Sequence, residues 1–425
     1  MNISVKRMKA VILAAGKGER LEPITHTRPK PLIPILDKPL LIHILERLSS
    51  LGIKEVIIVV GYMKNKIEEV LKEYNLNIKT RLVVQDNPLG TGHALKIVEG
   101  LVKDVFLLVY GDILVSPSAI KELLDKGPPS IMLTRVANTQ DYGVVITSND
   151  TVKDIIEKPS RDLGINTINA GVYLLDENIF NYLDNIGLSE RGEYELTDAL
   201  KLMLKDNVKL KYSIANTDEW FEIGKPWDLL SIHEKILSKL SKQVINGEVE
   251  DYVKIKGPVI IEEDVIVRSG TYIIGPAYIG KGAIIGPNSY IRPYTVIGKN
   301  SRIGNAVEVK NSTLMEGVHA QHLTYIGDSI VCEYVNLGAG TITANLRFDN
   351  GTVKVTIKGK RISSGRRKLG AIIGGFVKTG INVSIMPGVK ISAYSWIAPG
   401  AVVNRDVPPK SFLKADIRYR IEQLP

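Results

Sequence analysis

The sequence predicts an α/β domain built on a mostly parallel, Rossmann-like sheet, followed by a parallel β-helix of hexapeptide repeats. Two observations carry the prediction. From Met8, short apolar runs alternate with helical patterns, as in a sheet covered by helices on both faces. Then, from Ile255 to Met315, every sixth residue is aliphatic: Ile255, Ile261, Val267, Ile273, Ile279, Ile285, Ile291, Ile297, Ile303, Val309 and Met315. Four residues after each rung from Ile261 to Val309 comes a small or β-branched side chain: Val265, Thr271, Ala277, Ala283, Ser289, Thr295, Ser301, Val307 and Thr313. An α-helix repeats about every 3.6 residues and a flat strand every two, so neither sustains a strict six. A β-helix does, because each turn-and-strand unit adds one aliphatic plug to a shared core.

Buried strands are expected at Lys9–Ala14, Glu55–Val60, Arg81–Val84, Val105–Tyr110 and Ser130–Val136. Helices are expected between them at Pro39–Leu51, Lys64–Tyr74, Thr91–Leu101 and Ser118–Lys126. Gly143–Thr147, Val152–Glu157 and Ile168–Leu175 read as antiparallel additions, followed by a helix at Tyr194–Lys205 and a strand at Lys209–Ile214. Pro226–Lys242 carries Leu229, Leu230, His233, Ile236, Leu237 and Leu240 at helical spacing, with proline in its first turn. Beyond Gln243 the composition shifts to Ile, Val and Gly. The ladder slips phase near His322, resumes at Val331 and Leu337, and returns at Ile373, Ile385, Ile391, Ile397 and Val403. An insertion from Leu346 to Leu369 holds eight basic residues and one acidic residue, Asp349. The expected divisions are a 1–7 extension, an 8–225 catalytic domain, a 226–250 linker helix, a 251–408 β-helix and a 409–425 tail.

Composition narrows the function classes. The 425 residues are 44% hydrophobic and 24% charged, ordinary for a globular chain. No uninterrupted apolar run of about eighteen residues occurs, and residues 1–7 lack an apolar signal core, so no membrane association is expected. The single cysteine, Cys332, cannot form an internal disulfide and suits a reducing, cytoplasmic setting. A net charge of +9 with only 6% aromatics and no nucleic-acid motif favours phosphorylated small substrates over nucleic acid.

Four motifs carry chemistry in the first domain. Leu13, Ala14, Ala15 and Gly16 open a glycine-rich loop after the first strand, where backbone N–H groups can approach phosphates and Arg20 adds charge. Arg28-Pro-Lys-Pro-Leu32 presents Lys30 between two prolines. Gln85 precedes the glycine turn Leu89-Gly90-Thr91-Gly-His-Ala94 at the start of a helix, where His93 reads as a structural partner. Tyr110-Gly-Asp112 ends an apolar strand, the place where open α/β sheets bind ligands and where an aspartate suits Mg²⁺ on a phosphate.

With Glu157-Lys158-Pro159, Asn169-Ala-Gly171 and Trp220-Phe-Glu-Ile-Gly224, these motifs resemble the sugar-1-phosphate nucleotidylyltransferases over most of residues 8–230. The resemblance implies that Arg20 and Lys30 neutralise a nucleoside triphosphate while Leu13, Ala14, Ala15, Gly16, Gln85, Gly90 and Thr91 hold the nucleotide. It implies further that Gly143, Glu157, Lys158 and Asn169 hold the sugar, and that Asp112 and Glu222 hold Mg²⁺. Glu222 stands where the family often has aspartate, one methylene shorter.

In the β-helix, polar groups interrupt the ladder at Gln321-His-Leu-Thr-Tyr-Ile-Gly-Asp328 and at Tyr334-Val-Asn-Leu-Gly-Ala-Gly-Thr-Ile-Thr-Ala-Asn345. Arg292 and Lys310 follow ladder residues one full coil apart, so the two cations stack. Stacked cations near a neutral His suit an amine substrate that also carries a phosphate, with His taking the proton as the amine attacks a thioester. The region resembles the acetyltransferase half of the bifunctional glucosamine-1-phosphate acetyltransferase/N-acetylglucosamine-1-phosphate uridylyltransferases. That resemblance implies His322 as general base and Arg292, Lys310, Tyr325, Asn336 and Asn345 as the acetyl-acceptor site. Ala339, Gly375 and Ala398 would line an acetyl-CoA site between subunits of a homotrimer, on a left-handed β-helix. Over such a site the basic insertion is either a clamp on phosphates or a solvated face, with Lys354 a candidate contact.

The expected function is therefore twofold. Acetyl-CoA acetylates glucosamine-1-phosphate, then UTP (or dTTP) and N-acetylglucosamine-1-phosphate yield a nucleotide sugar and pyrophosphate with Mg²⁺. The rival expectation is a monofunctional nucleotidylyltransferase whose β-helix only assembles subunits.

Overall fold

The computed structural model describes residues 8–416, 418 and 420–424. The expected extension at 1–7 lies outside the described residues, as do positions 417, 419 and 425 of the tail. The chain divides into two compact units. One comprises Met1–Lys17, Arg28–Ile33 and Lys38–Ile223; the other comprises Gly18–Thr27, Pro34–Asp37 and Gly224–Pro425.

The first unit is organised by a nine-stranded sheet in the order Lys79–Val84, Glu55–Val60, Lys9–Ala14, Phe106–Tyr110, Thr167–Leu175, Ser130–Arg135, Lys211–Ile214, Thr151–Glu157, Gly143–Ser148. The first four strands are parallel and pair in continuous register, Lys9 with Glu55 on one side and with Phe106 on the other. Their sequences are almost wholly aliphatic because both faces are covered. Val11, Ile57, Phe106, Leu108 and Tyr173 join one buried cluster with the helix Leu196–Lys205. The strand order reverses between Lys9–Ala14 and Phe106–Tyr110, which opens a crevice at their carboxyl ends. Expected and observed elements largely coincide, but the helix Ile179–Leu183 and the paired strands Ile113–Val115 and Trp220–Glu222 are not among those expected, and one helix is shorter. The helix expected to reach Leu101 stops at Lys96, and Glu99 bridges back to Val102 across a left-handed Gly100.

The second unit is a parallel β-helix with three sheets of eight, nine and eight strands. Equivalent residues pair from coil to coil, Ile255 with Ile273, Ile273 with Ile291 and Ile291 with Val309, and the inward side chains form one continuous core. The small residues two positions before each rung, such as Val265, Ala283 and Ser301, are buried at the corners.

The ladder departs from expectation at Met315. Ile297 pairs instead with Leu314, one residue short of the repeat, and Leu314 rather than Met315 enters the core. Ser312, not Thr313, takes the buried corner position. A second shortening follows between Ile326 and Val331. Asn311 and Asp328 adopt left-handed backbone at these tight corners (φ 44° and 49°), as their short polar side chains allow. The hydroxyls of Ser312 and Ser329 close the corners by donating to the carbonyls of Lys310 and Gly327, both at 2.8 Å. The single phase slip expected near His322 is thus two slips that flank it.

The insertion leaves the coil at Asn345, whose carbonyl accepts from the Leu369 N–H. It holds an antiparallel hairpin, Lys354–Ile357 with Lys360–Ser363, turned by Lys358 and Gly359 with positive φ at both. Val353, Val355 and Ile357 are buried, so this basic segment has an apolar underside. The helix Asp228–Ser238 covers the first face of the coil, where Leu237 packs with Tyr278 and Val296. Its buried His233 accepts from the Leu36 N–H at Nε2 (2.9 Å), which leaves Nδ1 to donate to Thr313 Oγ1 (2.7 Å). Among the described residues no helix is long and apolar enough to cross a membrane.

Asp37 adjoins the coil at Lys299, whose backbone N–H it accepts at 3.2 Å. Burial pushes its carboxyl up to about 6, with Glu316 and Glu262 adding to the rise and Lys299 opposing it. The folded state therefore binds this proton more tightly than the unfolded chain. The associated stability is fully present below the ordinary value of 3.8 and is lost as pH rises through about 6. Asp37→Asn should raise the thermal midpoint of this unit at pH 8, on the order of 2 °C, and leave it unchanged at pH 4. A calorimetric scan at both pH values checks the sign; a lower midpoint at pH 8 would contradict it.

Candidate active sites

At the crevice of the first unit, the Gly111 N–H donates to the Leu13 carbonyl at 2.8 Å. This bond ties the loop after the first strand to the loop that carries Asp112. A Cβ at Gly111 would lie 2.8 Å from that same carbonyl and 3.0 Å from the Ala14 Cβ, so only glycine allows the approach. Lys30, on the short turn Lys30–Leu32, donates from Nζ to Asp112 Oδ2. The other oxygen, Asp112 Oδ1, is buried without a hydrogen-bond partner. Glu222 arrives on the strand Trp220–Glu222, which pairs antiparallel with Ile113–Val115 and sets Glu222 opposite Ile113. The Ile223 N–H donates to the Asp112 carbonyl at 3.2 Å. The structure thus brings Leu13, Lys30, Asp112 and Glu222 together. Arg20 lies on the turn Glu19–Leu21, which belongs to the second unit.

Gln85 is buried, and its amide donates to His93 Nδ1 at 2.8 Å and to the Gly90 carbonyl at 3.3 Å. His93 is therefore the structural partner that its position suggested. Thr91 Oγ1 accepts from the Leu196 N–H at 3.0 Å, fixing the start of this helix.

The sugar residues also converge. Gly143 pairs with Glu157 across an antiparallel ladder. A Cβ at Gly143 would stand 2.9 Å from Glu157 Oε2 and 3.6 Å from the Asn169 Cβ. Asn169 donates to Tyr173 Oη at 2.6 Å, and Tyr173 donates to Tyr110 Oη at 3.1 Å. Burial holds both phenols well above their ordinary range, so this chain stays neutral. Lys158 Nζ lies 3.9 Å from Glu157. Arg191, not singled out in the sequence, reaches Glu157 at 3.4 Å, Glu195 at 3.3 Å and Glu193 at 3.2 Å. Its only sequence signal was the dense alternation of charges in Glu190-Arg-Gly-Glu-Tyr-Glu195.

In the second unit, Arg292 and Lys310 follow paired ladder residues, and the Arg292 N–H donates to the Val309 carbonyl at 2.8 Å, so the two cations stack. Each has a carboxylate: Arg292 with Glu308 at 2.8 Å and Lys310 with Asp328 at 2.7 Å. Tyr325 occupies the next coil, opposite Glu308. Its Oη accepts from Asn345 Nδ2 at 3.1 Å, which leaves the phenol O–H free to donate outward. Burial first, then the charges of Asp328 and Glu308, raise this phenol's pKa.

His322 ends the strand His319–His322 at the corner between the second and third faces; its ring is exposed and has no hydrogen-bond partner among the described residues. Asn336 projects from the second face, above His319. Ala339 lies at the same corner as His322, one coil on, and Ala398 lies at this corner further along. Gly375 is not brought to them. It sits at the corner between the first and second faces, where a Cβ would meet Glu333 Oε1 at 2.8 Å and Thr27 Cγ2 at 3.1 Å. It is buried there, away from the corner that holds Ala339 and Ala398.

Comparison with known proteins agrees with both halves. Residues 9–239 match the family model described as nucleotidyl transferase, and residues 273–374 match one described as the GMPPB C-terminal domain. The chain is 52% identical over 412 residues to the bifunctional sugar-1-phosphate nucleotidylyltransferase/acetyltransferase of Sulfurisphaera tokodaii, covering 96% of this chain and 100% of that protein. It is 48% identical over 408 residues to the bifunctional protein GlmU of Methanococcus maripaludis, covering 96% and 97%. The chain belongs to this family of bifunctional sugar-1-phosphate nucleotidylyltransferase/acetyltransferases. With that membership the coil is a left-handed β-helix. A solved UDP-glucose pyrophosphorylase complexed with UDP-glucose shares the fold of the first half, with a TM-score of 0.50, 24% identity, and coverage of 55% of this chain and 99% of that one.

The 2.9 Å approach of Gly143 to Glu157 gives a direct test of the sugar site that the sequence resemblance implies. Gly143→Ala should displace the Glu157 carboxylate and raise the KM for the sugar phosphate roughly 10-fold, with kcat changed less. Pyrophosphate release measured against sugar-phosphate concentration reads it; an unchanged KM would remove Glu157 from the sugar site.

Proposed function

We propose that this enzyme makes UDP-N-acetylglucosamine in two steps, acetylating glucosamine-1-phosphate with acetyl-CoA and then transferring a uridylyl group from UTP, with dTTP as an alternative donor. The observation that carries the twofold reading is the register break of the coil. Two one-residue shortenings bring Arg292, Lys310, Tyr325 and Asn345 into one polar cluster, with exposed His322 on the coil segment between them. A coil that served only to assemble subunits has no use for stacked cations at that point.

In the first step Arg292 and Lys310 bind the acceptor phosphate by charge-assisted hydrogen bonds. The outward Tyr325 O–H donates to the same ligand, and Asn336 orients the amine. His322 removes a proton as the nitrogen lone pair attacks the thioester carbonyl; the C–S bond then breaks and the thiolate leaves as CoA, protonated from His322. Ala339 and Ala398, at the corner shared with His322, line the acetyl-CoA side. Exposed Trp396, Phe412, Val402 and Ile342 on the outer faces support a homotrimer, in which a second copy covers this apolar surface.

In the second step an acceptor phosphate oxygen attacks the α-phosphorus of the nucleoside triphosphate and pyrophosphate departs. Both reactants are anions, so positioning and charge offset dominate. Glu157, Asn169 and Gly143 hold the sugar, with Lys158 beside them. Leu13, Ala14, Ala15 and Gly16 present backbone N–H groups to the phosphates, with Lys30 and Arg20 as cations. Gln85, fixed by His93, faces the base with Gly90 and Thr91. The unpartnered, buried Asp112 Oδ1 fits a missing cation, and two carboxylates, Asp112 and Glu222, match the way Mg²⁺ is usually held beside substrate phosphates. Held by Asp112 and Glu222, Mg²⁺ would supply positive charge to offset that of the substrate phosphates. The reactants and the buried Cys332, the one cysteine of the sequence and so without a second to bridge, suit the cytoplasm.

The two sites should be separable. His322→Ala should remove thiol release from glucosamine-1-phosphate and acetyl-CoA, while pyrophosphate release from N-acetylglucosamine-1-phosphate and UTP stays within about 2-fold. Lys30→Ala should do the reverse, lowering pyrophosphate release roughly 10²–10³-fold and sparing thiol release. Parallel loss of both activities in either variant, or no thiol release by the wild type, would contradict the twofold assignment.

A further inference from the structure

Asp328 is the most deeply placed charge in the second unit's site, its side chain only 3% exposed. Three donors converge on it. Lys310 Nζ reaches Oδ2 at 2.7 Å, Asn345 Nδ2 reaches the same oxygen at 2.6 Å, and Asn311 Nδ2 reaches Oδ1 at 3.0 Å. Asn345 also donates to Tyr325 Oη, so one carboxylate anchors a chain running Lys310, Asp328, Asn345, Tyr325. Lys310 and Asn311 are neighbours one coil before Asp328, and Asn345 stands one coil after it at the root of the insertion, so the three donors reach the carboxylate from both sides. The tight corners bring them together, because Asn311 and Asp328 are the left-handed residues at the two shortened steps.

We propose that Asp328 is a positioning residue for the acetyl-acceptor site: it holds Lys310 and Asn345, and through Asn345 the Tyr325 hydroxyl, in the arrangement that receives an amino-sugar phosphate. The inference rests on the twofold reading above and adds a residue that never touches substrate. A half-buried lysine needs an anion for electrostatic reasons alone, and a purely neutralising carboxylate would explain the Lys310 pair. It would not explain why the same oxygen fixes Asn345, three coils from Arg292, nor why Asn345 in turn sets the direction of the Tyr325 O–H. Both Asp328 oxygens already accept from protein donors and the side chain is only 3% exposed, so its role is to hold those donors rather than to meet the ligand.

The test measures the Kd for glucosamine-1-phosphate by titration calorimetry alongside thiol release with acetyl-CoA. Asp328→Asn should weaken acceptor binding about 10-fold, the scale of a lost charge-assisted hydrogen bond. The KM for acetyl-CoA and pyrophosphate release by the first unit should be unchanged. In a Lys310→Met background the same substitution should still weaken binding about 3-fold, through Asn345 and Tyr325, but by less than in the wild type because part of its effect passes through Lys310. Asp328→Glu covers the case in which the Asn variant does not fold: it keeps the charge but moves it by one methylene, and should also weaken binding. Wild-type affinity in a folded Asp328→Asn or Asp328→Glu variant, or full multiplication of effects with Lys310→Met, would overturn the positioning role. If the wild type binds the acceptor but releases no thiol, the acetyltransferase reading fails while the Kd comparison still judges Asp328. If it binds none, both fail.

Discussion

The second half of the molecule depends on one constraint, the backbone pairing of each residue with its equivalent one coil away. That pairing fixes which side chain of every short strand points inward, so a single residue added to or removed from a corner shifts every downstream side chain. The coil tolerates two such removals because they fall at Asn311 and Asp328, residue types that accept left-handed backbone, with serine hydroxyls closing each corner. Aliphatic plugs continue past both breaks, as Ala320, Ile326, Val331 and Leu337 show. The core is therefore uninterrupted while the surface above it changes from repetitive to specific.

The two sites share an electrostatic plan. Lys30 is held by Asp112, Lys310 by Asp328 and Arg292 by Glu308. Each of these three cations already has a carboxylate partner before any ligand arrives. Unpaired charge in a partly desolvated cleft is costly, and a flexible lysine without an anchor would sample many rotamers. A carboxylate removes both problems and leaves the cation aimed, so an arriving phosphate meets a preorganised donor. The plan differs in one respect. Asp112 keeps an unsatisfied oxygen, which suits a site that takes a metal, whereas both oxygens of Asp328 are occupied.

Most of the architecture was legible in the sequence because it rests on periodicity. The parallel strands are continuous aliphatic runs, and the rungs from Ile255 to Val309 stand where the six-residue repeat puts them. What escaped detection depends on contacts between distant positions. Met315 satisfied the repeat as an aliphatic residue, yet Leu314 beside it was equally apolar, and only pairing chooses between them. Thr91–Leu101 carried helical spacing, but a left-handed Gly100 and the Glu99–Val102 bridge end the helix early. Arg191 and Asp328 look like ordinary surface charges until the fold surrounds them with partners. Gly375, implied only by resemblance, sits at a different corner from Ala339 and Ala398, a separation that no local motif announces.

The site residues were legible to the extent that they sit in short motifs. Lys30, Asp112 and His322 each stand out against a local pattern, and the structure places them at strand ends or corners. The convergence of Gly143, Glu157 and Asn169 was implied only by resemblance, since they come from three strands whose order the sequence does not state. The central claim is that one chain couples two reactions on one amino sugar. Supplying glucosamine-1-phosphate, acetyl-CoA, UTP and Mg²⁺ together and measuring free thiol, pyrophosphate and nucleotide sugar in one time course tests it most directly. The account predicts equal final amounts of all three, with thiol appearing first and N-acetylated nucleotide sugar as the product. Pyrophosphate and a nucleotide sugar formed without thiol would contradict it.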